Sequence, residues 1–142
     1  MAALEQASDR SEPDLDRPLR WTATLVLLRL EEAAETLRRL PPAHRKAQMV
    51  SWPEVVRSAA ELAAMTPGPR HLLAKPAAID RLDDTLAWLG WLSPENARIL
   101  WARASGHAWR AIAALSGQSV RTCQRRTTEA LVRIAGRLNA AR

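Results

Sequence analysis

Phenylalanine and tyrosine are absent from this chain of 142 residues, and lysine occurs only at Lys46 and Lys75. Its single cysteine, Cys123, rules out an intrachain disulfide framework and any C-x-x-C metal motif. His44, His71 and His107 are too scattered to form a metal site, so neither a metal nor any other cofactor is expected. No apolar run approaches the roughly 18 residues of a membrane-spanning helix, and the N-terminal stretch lacks the basic start and apolar segment of a secretory signal. The expectation is a soluble, cytoplasmic protein with no membrane partner. There is no nucleophile elbow, phosphate-binding loop or dinucleotide fingerprint. Asp83 and Asp84 are adjacent, so on a helix they point in different directions and cannot pair for acid–base work. An enzyme is not expected.

What is abundant is Ala, Leu and Arg, with hydrophobic residues at 47%, enough for a core. The charge is unevenly placed. Residues 1–92 carry 12 Lys and Arg against 13 Asp and Glu, whereas residues 93–142 carry nine Arg against only Glu95 and Glu129. The whole net charge of +6 therefore resides in the C-terminal segment, which points to a polyanion as its partner.

Hydropathy repeats at three and four throughout, without strand-like alternation, and predict an all-α protein of five or six helices. Residues 1–19, acidic and proline-bearing, read as a disordered tail. A first helix from about Trp21 carries Leu25, Val26, Leu28, Leu30, Ala33, Ala34, Leu37 and Leu40 on a wide apolar stripe and stops at Pro41-Pro42. Glu35 precedes Arg38 and Arg39 by three and four residues, the spacing of ion pairs along the outer face. Ser51, Pro53 and Glu54 form a capping box for a second helix, which ends in the loop Thr66-Pro67-Gly68-Pro69. A third helix after Pro76 presents Ile79, Leu82, Leu86 and Leu89, broadened by Trp88 and Trp91. The tryptophans, at helical spacing beside Leu and Ile, are expected in the core in place of Phe and Tyr, Trp52 at a helix start being the exception. Residues 20–92 thus form a neutral helical platform, a candidate oligomerisation region.

Residues 93–142 read as a helix-turn-helix region. Ser93-Pro94 starts a helix with Ile99, Leu100, Trp101 and Ala104, ended by Ser105-Gly106. A short helix from about Ala108 to Leu115 follows, with Trp109, Ile112, Ala113 and Leu115 as its inner face. Gly117 supplies the positive φ of a tight turn, and Ser119 caps a long recognition helix running to about Asn139. On that helix Cys123, Ala130, Leu131 and Ile134 fall on one side. Val120, Arg121, Thr122, Gln124, Arg125 and Thr128 are the candidate base readers, since Arg pairs with guanine, Gln with adenine and Thr with the thymine methyl in the major groove. His107, Arg110, Ser119, Arg126 and Arg133 are the candidate phosphate contacts.

The ungapped stretch from Gly106 to Ile134, with Trp109, Ile112-Ala113, Gly117, Ser119-Val120, Thr122, Arg126 and Ala130-Leu131, resembles the region-4 helix-turn-helix of sigma factors and their LuxR-type relatives. Gln118 stands where an aliphatic residue is usual there, and Thr127 where leucine is common. The resemblance implies a DNA-binding fold whose DNA-facing positions match Val120, Arg121, Thr122, Gln124 and Arg125. A longer pattern, from Leu40-Pro41 and Trp52-Pro53 through Trp88-Leu89 and Trp101-x-Arg103-Ala104 to Leu138-Asn139, resembles an uncharacterised family of small helical proteins from phages, prophages and alphaproteobacteria.

The leading expectation is a sequence-specific binder of double-stranded DNA of phage or prophage type, acting in transcription regulation. Two alternatives stay open: the small subunit of a phage packaging terminase, partnered by the large terminase, and a protein-interaction module docking on RNA polymerase. A homo-oligomer built through the first three helices is compatible with each.

Overall fold

The structure, a computed structural model, describes residues 17–41 and 74–142. The expected helix opening at Ser51, Trp52 with it, and residues 1–16 of the expected tail lie outside the described residues. Within them the chain is all-helical and has no strand. Its elements are α1 (Ala23–Arg39), α2 (Pro76–Leu89), α3 (Pro94–Ala104), α4 (Trp109–Ser116) and α5 (Val120–Ala140). None of these helices is long and apolar enough to cross a membrane.

Local chemistry sets the helix starts. The Thr22 hydroxyl accepts the Leu25 N–H at 3.2 Å and caps α1. The Ser93 hydroxyl does the same for Asn96 at 3.3 Å, with Pro94 already holding the helical φ of the first turn. Pro76 opens α2 without a side-chain cap. Glu35 pairs with Arg38 at 2.8 Å and with Arg39 at 3.0 Å, as its spacing predicts.

α1 is the hub, packed against α2, α3 and α5. Its buried apolar positions Val26, Leu30, Ala33, Ala34, Leu37 and Leu40, joined by Arg29 and Thr36, recur at three and four on one wide stripe. Leu28, expected on that stripe, is exposed. It sits two residues from Val26, about 200° around the helix, and so turns away from the core. Arg29 is buried instead: its guanidinium lies 5.7 Å from the centroid of the Trp88 ring and 3.9 Å from Glu32. Glu32 in turn receives a forked contact from Arg81, whose Nε donates at 3.0 Å and Nη2 at 2.6 Å, joining α1 to α2.

Two clusters of buried side chains share α3 and α5. The larger joins Trp21 and the α1 stripe to Leu82, Leu86, Trp88 and Leu89 of α2, Leu100 and Trp101 of α3, and Ala130, Leu131, Ile134 and Ala135 of α5. The smaller holds Ile99 and Ala102 of α3, Ile112 of α4 and Cys123 of α5. Residues on both sides of position 92 therefore share one core, and α5 runs through both clusters. Trp21, Trp88 and Trp101 are buried as expected of core residues. Trp91 and Trp109 are half-buried, each covered by an arginine, Arg137 at 4.5 Å and Arg103 at 4.6 Å from the ring centroids.

The two ends of the described chain are tied together at Asn139. Its Oδ1 accepts the Trp21 N–H at 2.8 Å and its Nδ2 donates to the Trp21 carbonyl at 2.9 Å. That grip sets Trp21 edge-on to Trp88, ring centroids 5.1 Å apart. Arg142 adds contacts to the carbonyls of Pro18 and Leu19. Asn139→Ala leaves both Trp21 backbone groups without these partners. It should cost about 1–3 kcal/mol in urea denaturation. A cost below about 0.5 kcal/mol would mean that water replaces the amide in full.

Candidate nucleic-acid interface

The candidate interface is built by α4, its turn and α5, with α3 behind them. α4 ends on Gly117 at φ 69°, ψ 19°, and the Gln118 N–H reaches back to the Ala113 carbonyl at 3.3 Å, the closure of a left-handed helix stop. No neighbour would meet a Cβ at Gly117, so glycine is needed there for the backbone and not for space. Two residues later the Ser119 hydroxyl accepts the Thr122 N–H at 3.2 Å and donates to Thr122 Oγ1 at 2.9 Å, starting α5. The cap occupies the Ser119 side chain, which leaves the first N–H groups of α5 as the anion-attracting feature of this end.

Burial along α5 divides the helix lengthwise. Cys123, Thr127, Ala130, Leu131, Ile134 and Ala135 are buried. Arg121, Gln124, Arg125 and Thr128, all expected as base readers, are exposed on the opposite side, and Val120 and Thr122 are half-buried at its margin. The Thr128 hydroxyl donates back to the Gln124 carbonyl at 3.1 Å, which leaves its methyl as the outward-facing group. Thr127 is buried in the helix interface, and its hydroxyl has no partner among the described residues.

The inner face of α4 differs from expectation at one position. Leu115 is 58% exposed, while Ser116 turns inward. The Ser116 hydroxyl lies 3.4 Å from the Ala113 carbonyl and 3.3 Å from Cys123 Sγ. The stripe is therefore Trp109, Ile112, Ala113 and Ser116, stepping by three, four and seven from its first member; Leu115 lies about 60° off it. Leu115 instead edges an open groove of about 560 Å³ between α3 and α4, floored by Ile99, Ala102 and Ile112 and rimmed by Glu95 and Arg98.

The nine arginines of residues 93–142 separate into engaged and free. Arg103 and Arg137 lie over tryptophan rings, Arg142 binds backbone carbonyls, and Arg126 binds Glu95 at 2.5 Å. Arg98, Arg110, Arg121, Arg125 and Arg133 are exposed and have no hydrogen-bond or ion-pair partner among the described residues. Three of the free ones lie on α5 and one on α4. His107, expected as a phosphate contact, is half-buried with its Nε2 enclosed and unpartnered among the described residues. Its carbonyl faces the Arg103 guanidinium at 3.4 Å.

Sequence reasoning missed Glu95. Its carboxylate receives both Arg126 and the Gln118 amide, tying the turn and the first half of α5 to the start of α3. The departure of Gln118 from an aliphatic residue was the available signal, since a polar side chain at a packing position needs a polar partner. Among the described residues no three His, Cys, Asp or Glu side chains gather as a metal site.

No curated protein and no solved structure matches the chain. Residues 38–134, two thirds of its length and spanning α2 to most of α5, match a family described only as Domain of unknown function (DUF6362), and the chain belongs to that family.

Proposed function

We propose that α4, the Gly117 turn and α5 act as a helix-turn-helix that reads duplex DNA, with α5 in the major groove. One observation carries this reading. The outer face of α5 presents Arg121 and Arg125 exposed and unpaired among the described residues, beside Gln124 and Thr128, on a helix whose other side is locked into two cores. Holding long cationic side chains free of the carboxylates around them serves a polyanion better than it serves stability. Arg121, Gln124, Arg125, Thr128, Val120 and Thr122 take the base edges. Arg110, Arg133 and the first N–H groups of α5 take the backbone. The role we assign is sequence-specific control of transcription, in keeping with the resemblance of Gly106–Ile134 to sigma region 4.

Selection of bound sites from random duplexes, followed by titration of the preferred site over salt, tests the proposal. With two to four phosphates neutralised, log K should fall against log[salt] with a slope of about −1.8 to −3.6. A flat response with no selected consensus overturns the reading. That outcome would favour a second reading, a surface docking on a protein of the transcription machinery, supported by the α3–α4 groove and the exposed Leu115 at its edge.

A further inference from the structure

We propose that Glu95 is a specificity-determining positioning residue, which pins the start of α5 in its reading pose and withholds Arg126 from the DNA backbone; this rests on the duplex-DNA reading above. Glu95 stands in the first turn of α3, where the helix dipole favours a carboxylate. Its Oε2 holds Arg126 Nη1 at 2.5 Å and its Oε1 receives the Gln118 side-chain amide. Asn96 supports the same guanidinium at 3.5 Å.

The two gripped residues bracket the N-terminal turns of α5. Gln118 lies just before the Ser119 cap, and Arg126 lies two turns further on. Arg126 sits on the flank of the helix, between the buried line of Cys123 and Ala130 and the exposed line of Arg121 and Arg125. A roll of α5 about its own axis, or a lift of the turn, breaks one of the two contacts. The two cores set which side chains face outward, and the clamp holds the N-terminal turns of α5 to that pose.

Stability alone gives a weak reason for this arrangement. The Glu95 side chain is 48% exposed and that of Arg126 29%, and ion pairs at such exposure contribute little. The electrostatic consequence is larger. An arginine on the flank of a recognition helix would add a contact to any phosphate, whatever the sequence. With Glu95 in place the flank is neutral, and a phosphate drawn toward Arg126 also meets a carboxylate. Sequence-independent attachment is reduced, and the discriminating contacts from Arg121 and Arg125 keep their weight.

The test compares wild type, Glu95→Gln, Arg126→Ala and the double variant, each as the full chain, on the selected duplex and on random duplex over a salt series. Glu95→Gln should steepen the salt slope by about 0.9, the value of one more phosphate. It should also raise affinity for random duplex about tenfold at low salt, and lower the ratio of selected to random binding. Arg126→Ala should keep the wild-type slope, and the double variant should return to it. A Glu95→Gln slope equal to wild type, or an Arg126→Ala slope shallower by about 0.9, overturns the proposal while leaving DNA binding intact. If wild type itself shows no salt-dependent binding, the duplex-DNA reading has failed and the role of Glu95 falls with it. Should Glu95→Gln unfold, an Arg126→Ala slope shallower than wild type still overturns the proposal.

Discussion

Arg121→Ala with Arg125→Ala should erase discrimination between the selected duplex and a random one, while helicity and Tm stay at wild-type values. The two side chains lie four residues apart on α5, one above the other on its exposed face, a spacing that spans about two base pairs in the groove. Each bidentate pairing with a base is worth ~1–3 kcal/mol of discrimination, so the two together account for roughly 30-fold to 10⁴-fold. Neither guanidinium pairs with a carboxylate or covers an aromatic ring among the described residues, so alanine removes nothing on which the fold depends. The control is Arg133→Ala, further along the same helix. Without its hold on a phosphate, binding to selected and random duplex should weaken alike and their ratio stay unchanged. Retained site preference in the double variant would place base reading elsewhere and sink the assignment of α5 as the recognition helix.

Much of this surface is legible in the sequence, because the signals are local. Thr22, Ser93 and Ser119 each act on an N–H three residues on, Pro94 holds its own φ, and Gly117 takes a conformation that its lack of a Cβ permits. The division of α5 into a buried and an exposed side follows from its period of 3.6, and Arg121, Gln124, Arg125 and Thr128 fall on the exposed side for that reason alone.

The features that escape such a reading depend on what stands opposite. Leu28 and Arg29 are neighbours in a helix whose apolar count favours the leucine. The core takes the arginine because Trp88 offers a ring face and Glu32 a carboxylate at that position. Leu115 and Ser116 exchange places in the same way, since Cys123 and the Ala113 carbonyl give the serine a polar seat in the smaller cluster. Glu95 with Arg126 and Asn139 with Trp21 are separated by 31 and 118 residues, and no periodicity within one helix carries information about them. For the same reason hydropathy gives no sign that α5 threads two cores.

That shared helix governs the second large effect. Trp101→Ala should destabilise the protein by about 3–5 kcal/mol, the usual effect of truncating a fully buried tryptophan in a rigid core. Trp101 is wholly buried on α3 among the residues that α1, α2 and α5 present, and a cavity of that size cannot be closed by small shifts of four helices. A small domain has roughly 5–15 kcal/mol in total, so the variant should lie close to its unfolding midpoint at ordinary temperatures. The manner of the destabilisation is as informative as its size. α3 carries Leu100 and Trp101 into the larger cluster and Ile99 and Ala102 into the smaller one. α5 likewise carries Ile134 and Cys123 into different clusters. Neither cluster retains its walls once the other has opened, so unfolding should remain one transition. Urea denaturation followed by far-UV circular dichroism, with hydrogen exchange read at the Thr122–Thr127 amides, checks this. Both probes should give one midpoint, shifted equally by the substitution. If those amides kept their protection while the larger core melted, α3, α4 and the first half of α5 would be a separately stable unit, and the surface proposed to read DNA would survive damage to the helices behind it.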